Sequence, residues 1–193
     1  VIHIDVSSFW DAYKDNVIEK IQEYIYDELK QVYGDQIDYT KMISAVLMSV
    51  YNISGIPFVI IIDEWDCVIR NGGNKTLVHS YLQFLHLLFK SEESKTFLAL
   101  AYITGILPIK KIKDESALNN FREFTMLKSK QLTRYFGFTE DEVKKLCIKY
   151  DMDFESIKAW YNGYLIDGLH MYNPNSVVQA CLLYTSDAAD DTP

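Results

Sequence analysis

Phe58-Val59-Ile60-Ile61-Ile62-Asp63-Glu64-Trp65-Asp66 is the stretch on which the fold turns. Its first five residues form an unbroken β-branched and aromatic run between Pro57 and Asp63, the pattern of a short strand buried on both faces of a parallel sheet. A second run of this kind, Phe97 to Ile103, closes on Thr104-Gly105, and a third, Val1 to Ile4, closes on Asp5. Amphipathic stripes separate the runs. Tyr13, Val17, Ile21, Ile25 and Leu29 mark a helix that stops near Gly34, and Met42 to Tyr51 mark a second, ended by the Asn52 to Gly55 turn and barred from continuing by Pro57. Leu77, Leu85 and Phe89 lie on the stripe of a third. Strand, helices, strand, helix and strand in this order predict crossover units, and so an α/β fold with a doubly wound, mainly parallel sheet.

The pattern changes beyond residue 130 to short helices. Thr139-Glu140-Asp141-Glu142 supplies a capping box, Asp153 caps a following helix, and Asn173-Pro174 places a capping side chain before a proline at the first helical position of the last one. The chain thus divides into an α/β core over 1–130, a small helical lid or subdomain over 131–184, and a tail over 185–193. The tail is small and acidic with nothing to bury, and it reads as non-native. Val1 opens in mid-strand with no initiator Met, so a segment upstream of it is expected.

The 193 residues are 49% hydrophobic and 24% charged, which excludes a disordered or collagen-like chain. Lys and Arg number 19 against 27 Asp and Glu, leaving a formal net charge of -8, the wrong sign for coating nucleic acid. Cys67, Cys147 and Cys181 lack any C-x-x-C spacing and read as reduced thiols of a cytoplasmic protein. The apolar run Ile56 to Ile62, interrupted only by Pro57, is too short to cross a bilayer, and no signal-peptide pattern opens the chain, so no membrane partner is expected.

Ligands of open α/β sheets sit outside the carboxyl ends of the strands, which puts Asp63 and Glu64 where acids meet a substrate. A hydrophobic strand delivering an acidic pair has the form of a Walker B element. In that role Asp63 holds Mg²⁺ through its water shell, and the catalytic Glu64 orients or activates the water that attacks the γ-phosphate of ATP. Thr104, ending the next strand, can lie near the γ-phosphate as a sensor. The loop G-x-x-x-x-G-K-[ST], whose backbone N–H groups wrap phosphates, does not occur. Gly72-Gly73-Asn74-Lys75-Thr76 imitates it but reads as a turn capping the next helix. His79 and His86 share a helix without neighbouring ligands, and Asp151 and Asp153 read as capping residues rather than a metal pair. Lys110, Lys111 and Lys113 form a basic cluster that reads as a solvated loop, with contact to a phosphate or nucleic acid as the alternative, and Asn119, Asn120 and Arg122 form a polar patch that can face nucleotide or a partner.

Together, FVIIIDEWD (Phe58 to Asp66), YITGILPIKK (Tyr102 to Lys111), SALNNF (Ser116 to Phe121), YFGFTEDEV (Tyr135 to Val143), WYNGY (Trp160 to Tyr164) and YNPNSV (Tyr172 to Val177) resemble the AAA-ATPase-like family of bacterial and archaeal proteins. These are ATP-binding proteins that often carry a C-terminal PD-(D/E)XK nuclease-like domain. The resemblance runs from Val1 to about Tyr184. It implies a P-loop NTPase fold in which Asp63 and Glu64 match the Walker B acids, Thr104 matches the polar strand end, and the Walker A loop lies just before Val1. The sequence departs from the family by lacking that loop and by ending before any nuclease-like domain. The aromatics of WYNGY are expected to fill the lid interface, with Gly163 stopping the helix. The expected function is Mg-ATP binding and hydrolysis in the intact parent, with this fragment inactive. Two rivals stand beside it: an inactive NTPase-fold scaffold that binds a protein partner through the helical region, and part of a nucleic-acid-processing protein, the last by family analogy alone.

Overall fold

β1 (Ile2–Asp5), β2 (Phe58–Asp63) and β3 (Leu98–Ile103) lie side by side in that order, and both pairings are parallel. Asp5 is in register with Asp63, and Ile62 with Ile103, so the three carboxyl ends stand at one edge. The computed structural model describes residues 1–108, 118–125, 130–161, 163–166 and 168–190, and they fall into two units, Val1–Phe121 and Arg122–Pro193.

In the first unit the strands are connected by α1 (Val6–Tyr13), α2 (Val17–Tyr33) and α3 (Ile43–Ser54), and then by α4 (Cys67–Arg70), α5 (Lys75–Phe89) and α6 (Ser94–Phe97). The periodic residues do what their spacing demands. Val17, Ile21, Ile25 and Leu29 of α2, Val46, Leu47 and Val50 of α3, and Leu85 and Leu88 of α5 are buried with Ile4, Ile60 and Ile62 of the sheet. Each such side chain contributes about 1.5–3 kcal/mol by leaving water.

The structure corrects two sequence expectations here. The stripe expected to run from Tyr13 is two helices, because Asp5 accepts from the backbone N–H groups of Ser7 and Ser8 and starts α1, which buries Val6 and Trp10. α1 then ends at Lys14, whose φ of 46° breaks the helix and leaves Tyr13 exposed. The second correction concerns β2 and β3. Ile60 and Ile62 are buried, but Leu100 and Tyr102 are 57% and 49% exposed, so the sheet is densely covered on one face only among the described residues. An unbroken apolar run shows that a strand tolerates cover on both faces; whether cover comes depends on other elements.

The second unit is not purely helical. β4 (Phe138–Thr139), β5 (Tyr164–Ile166) and β6 (Leu169–Tyr172) form an antiparallel sheet in the order β4-β6-β5, beside α7 (Glu140–Lys149), α8 (Phe154–Trp160) and α9 (Pro174–Asp190). Strands of two to four residues carry too little alternation to be read, although Asp167-Gly168 between two apolar segments is a hairpin signal. The caps match their motifs. Thr139 and Glu142 form the capping box of α7, Asp153 accepts from Ser156 N–H at 2.8 Å, and Asn173 accepts from Asn175 N–H at 2.9 Å.

Val143, Cys147, Met152, Ile157, Tyr172 and Val177 form the core of this unit. Trp160, expected to pack, is 83% exposed, while Tyr161 packs partly against the core. Gly163 is required for a reason other than helix stopping: any Cβ there would overlap the Met171 carbonyl of β6. α9 continues to Asp190, so the acidic segment 185–190 continues that helix rather than leaving it; residues 191–193 lie outside the described residues.

Candidate functional site

The polar centre of the first unit is built where β2 and β3 end. The ladder runs one step past the strands, since Thr104 N–H donates to Ile62 O at 2.9 Å and Trp65 N–H donates to Thr104 O at 3.0 Å. That alignment brings two of the sequence candidates together: the Thr104 hydroxyl donates to Asp63 Oδ1. Glu64 N–H also donates to Asp63 Oδ1, at 3.0 Å.

Glu64 is the sharpest backbone feature. Its φ of 52° is left-handed, a conformation that costs a non-glycine residue about 1–3 kcal/mol and persists only where the surroundings over-determine it. The surroundings do so. Trp65 is buried, and its carbonyl accepts from the Tyr81 hydroxyl at 2.8 Å. Burial pushes the Tyr81 hydroxyl far above its ordinary pKa, so it remains a donor.

Asp66 carries no role that the sequence pattern assigns, and it proves to be the anchor of the site. It is 0% exposed. Its carboxylate accepts from Ile106 N–H at 3.2 Å, Leu107 N–H at 2.8 Å and Arg70 Nε at 3.0 Å. Arg70 Nη2 reaches in turn to Glu64 Oε2. The segment after Thr104 lies so close that a Cβ on Gly105 would stand 2.5 Å from both Asp66 Oδ1 and Trp65 Cδ1. Asp66 and Arg70 are spaced i,i+4 in the sequence, a signal that could have paired them.

The site also gains a neighbour in Asp5, whose position opposite Asp63 follows from the strand register. Its carboxyl is held below the ordinary Asp range by hydrogen bonds from the side chains of Ser8 and then Ser7, whose hydroxyls lie 2.6 and 2.7 Å away.

With this geometry in place, the comparison with known families decides the kinship: the family model described as predicted AAA-ATPase matches residues 1–113. The chain belongs to the AAA-ATPase-like family. No curated protein matches it. No solved structure matches it either.

Other sequence candidates of this AAA-ATPase-like chain stand outside the cluster. Asn74 accepts from Leu77 N–H at 2.8 Å, so the Gly72 to Thr76 turn caps α5. Asn120 donates to Phe89 O at 3.0 Å, and the Arg122 guanidinium lies 5.1 Å from the Phe124 ring centroid. Lys110, Lys111 and Lys113 lie outside the described residues. His79 is exposed on α5 and His86 half-buried. Among the described residues, no three His, Cys, Asp or Glu side chains are grouped so as to enclose a metal ion. No helix among them is long and apolar enough to cross a membrane.

A resident Mg²⁺ implied by the family can be tested against the donor set. Mg²⁺ dehydrates reluctantly and is usually held by one or two carboxylates, several waters and substrate phosphates rather than by an all-protein cage. One exposed carboxylate, Asp63, steadied by Thr104 at the sheet's carboxyl edge fits that demand.

Proposed function

We propose that this AAA-ATPase-like domain supplies the metal and water side of an Mg-ATP site in a P-loop-type, doubly wound fold. The observation that carries the reading is the Asp63–Thr104 hydrogen bond across the ends of two adjacent parallel strands, with Glu64 held beside it in a left-handed turn. Asp63 would hold the hydrated Mg²⁺, which supplies charge neutralisation for the phosphates. Thr104 fixes the Asp63 carboxylate by donating to Oδ1, which leaves Oδ2 on the far side of the carboxyl group. Glu64 accepts a proton from, or orients, the attacking water; the two acids divide the work because one is bonded to Thr104 and the other turned toward Arg70. The phosphate-cradling half belongs to a glycine-rich loop, a role that Gly72 to Thr76 does not fill because Asn74 is committed to capping α5.

The test compares wild type and Glu64→Gln in the gene product that contains this domain. The variant is expected to keep its Mg-ATP affinity and to lose turnover by about 10²–10⁴-fold, the contribution of a positioned general base. Unchanged turnover would remove Glu64 from the chemistry. Absence of saturable Mg-ATP binding in wild type would instead favour a scaffold that binds protein partners without nucleotide.

A further inference from the structure

Glu64 does not hold its own position. Its carboxylate is gripped by Arg70, the last residue of a four-residue helix, α4, far too short to be stable by itself. α4 is tied down through Asp66, whose backbone carbonyl accepts from Ile69 N–H at 3.0 Å and Arg70 N–H at 2.9 Å. Arg70 uses separate parts of its guanidinium for two acids: Nε on Asp66 Oδ2 and Nη2 on Glu64 Oε2. The first acid is completely buried and the second is 37% exposed, so one end of the fork is anchored and the other reaches the surface.

The anchor has a second set of connections. The remaining bonds to the Asp66 carboxylate come from the backbone N–H groups of Ile106 and Leu107, directly after Thr104 and Gly105. A continuous polar chain therefore runs from the segment following β3, through Asp66 and Arg70, to Glu64. Arg is suited to this and Lys is not, because only the planar guanidinium presents several donors in a fixed fork; an ammonium has one nitrogen on a flexible stem.

We infer that Arg70 is the positioning residue for Glu64, setting where that carboxylate stands, with the buried Asp66 as its anchor and as the link that makes this position follow the Ile106–Leu107 segment. The functional consequence rests on the Mg-ATP reading; the positioning itself does not.

Two readouts separate those claims. The first needs no nucleotide. In ¹⁵N-arginine-labelled protein, a guanidinium gripped by two carboxylates has restricted rotation, so the Arg70 Nη protons give separate signals. Glu64→Gln is expected to weaken the grip and merge them, while the Arg70 Nε signal, anchored on Asp66, stays. Merged Arg70 signals in wild type would overturn the positioning role whatever the nucleotide result.

The second readout is turnover. Arg70→Lys keeps the charge and loses the fork; it is expected to lower kcat on the order of tenfold with KM for Mg-ATP within about twofold, the signature of a misplaced group rather than lost binding. Added to Glu64→Gln, it is expected to do nothing further, since it acts through Glu64. Wild-type kcat in Arg70→Lys, or the same loss in the Glu64→Gln background, would overturn the inference. Lack of turnover in wild type would fail the Mg-ATP reading and leave the arginine signals to decide the positioning.

Discussion

The two units of the chain spend their polar side chains differently. In the second unit the caps are local: Thr139 with Glu142, Asp153 with Ser156 and Asn173 with Asn175 are bonds across two or three residues, each at the start of a helix. In the first unit, beside local caps at Asp5 and Asn74, the bonds that tie the end of β2 to the end of β3 join residues far apart in sequence: Thr104 to Asp63 spans 41 residues, Ile106 to Asp66 spans 40 and Leu107 to Asp66 spans 41. A local cap satisfies backbone groups that any helix would leave open. A long-range cluster at a strand end forms only if the sheet is in register, and it holds acids in one arrangement. The difference separates side chains that cap a single helix from side chains that hold the ends of two strands together.

The contrast is exposed to direct attack. The largest effect is expected for Asp66→Ala, which leaves Arg70 Nε–H and the backbone N–H groups of Ile106 and Leu107 without their acceptor; each buried donor left unpaired costs about 1–3 kcal/mol. Urea unfolding followed by tryptophan fluorescence measures it, Trp65 being next in sequence and buried. A loss under about 1 kcal/mol would mean that Asp66 is merely a cap, and the contrast between the units would collapse.

Thr139→Ala sharpens the comparison from the other side. It removes the capping box of α7 and is expected to cost about 1 kcal/mol, with Mg-ATP affinity untouched. A cost as large as that of Asp66→Ala, read in the same unfolding experiment, would break the distinction.

The smallest expected effect is a pH dependence at Asp5. Its folded carboxyl titrates below the ordinary range, chiefly because of Ser8, so its stabilisation is present above the unfolded pKa and is lost as pH falls through the folded value. Ser8→Ala removes the leading cause. Thermal unfolding is therefore expected to show the widest gap between wild type and Ser8→Ala near neutral pH, closing in acid. A gap that grows in acid would show that the carboxyl is not stabilised in its charged form.

How much of this could be read in the residues follows from the same division. Local bonds leave local patterns: Thr139-x-x-Glu142, Asp153-x-x-Ser156 and Asn173-Pro174 identify their caps from residue order alone. The apolar run before Asp63 is likewise legible, and so is the end of a later run at Thr104. The Asp66–Arg70 connection is only half legible, because i,i+4 spacing suggests that pair while nothing in sequence order brings Ile106 and Leu107 to it. The exposure of Leu100, Tyr102 and Trp160 is illegible for a different reason: an apolar side chain records what can be buried, not what is. The short strands β4 to β6 escape because two to four residues hold at most two periods of alternation.

We propose above all that Asp63, steadied by Thr104, is the metal-holding acid of the site. Calorimetric titration of ATP, with and without Mg²⁺, into the gene product containing this domain and into its Asp63→Asn variant tests it most directly. Wild type is expected to show saturable binding that strengthens with Mg²⁺, and Asp63→Asn to lose that Mg²⁺-dependent part by at least about tenfold, or 1.4 kcal/mol. Equal Mg²⁺-dependent affinity in the two proteins would contradict it.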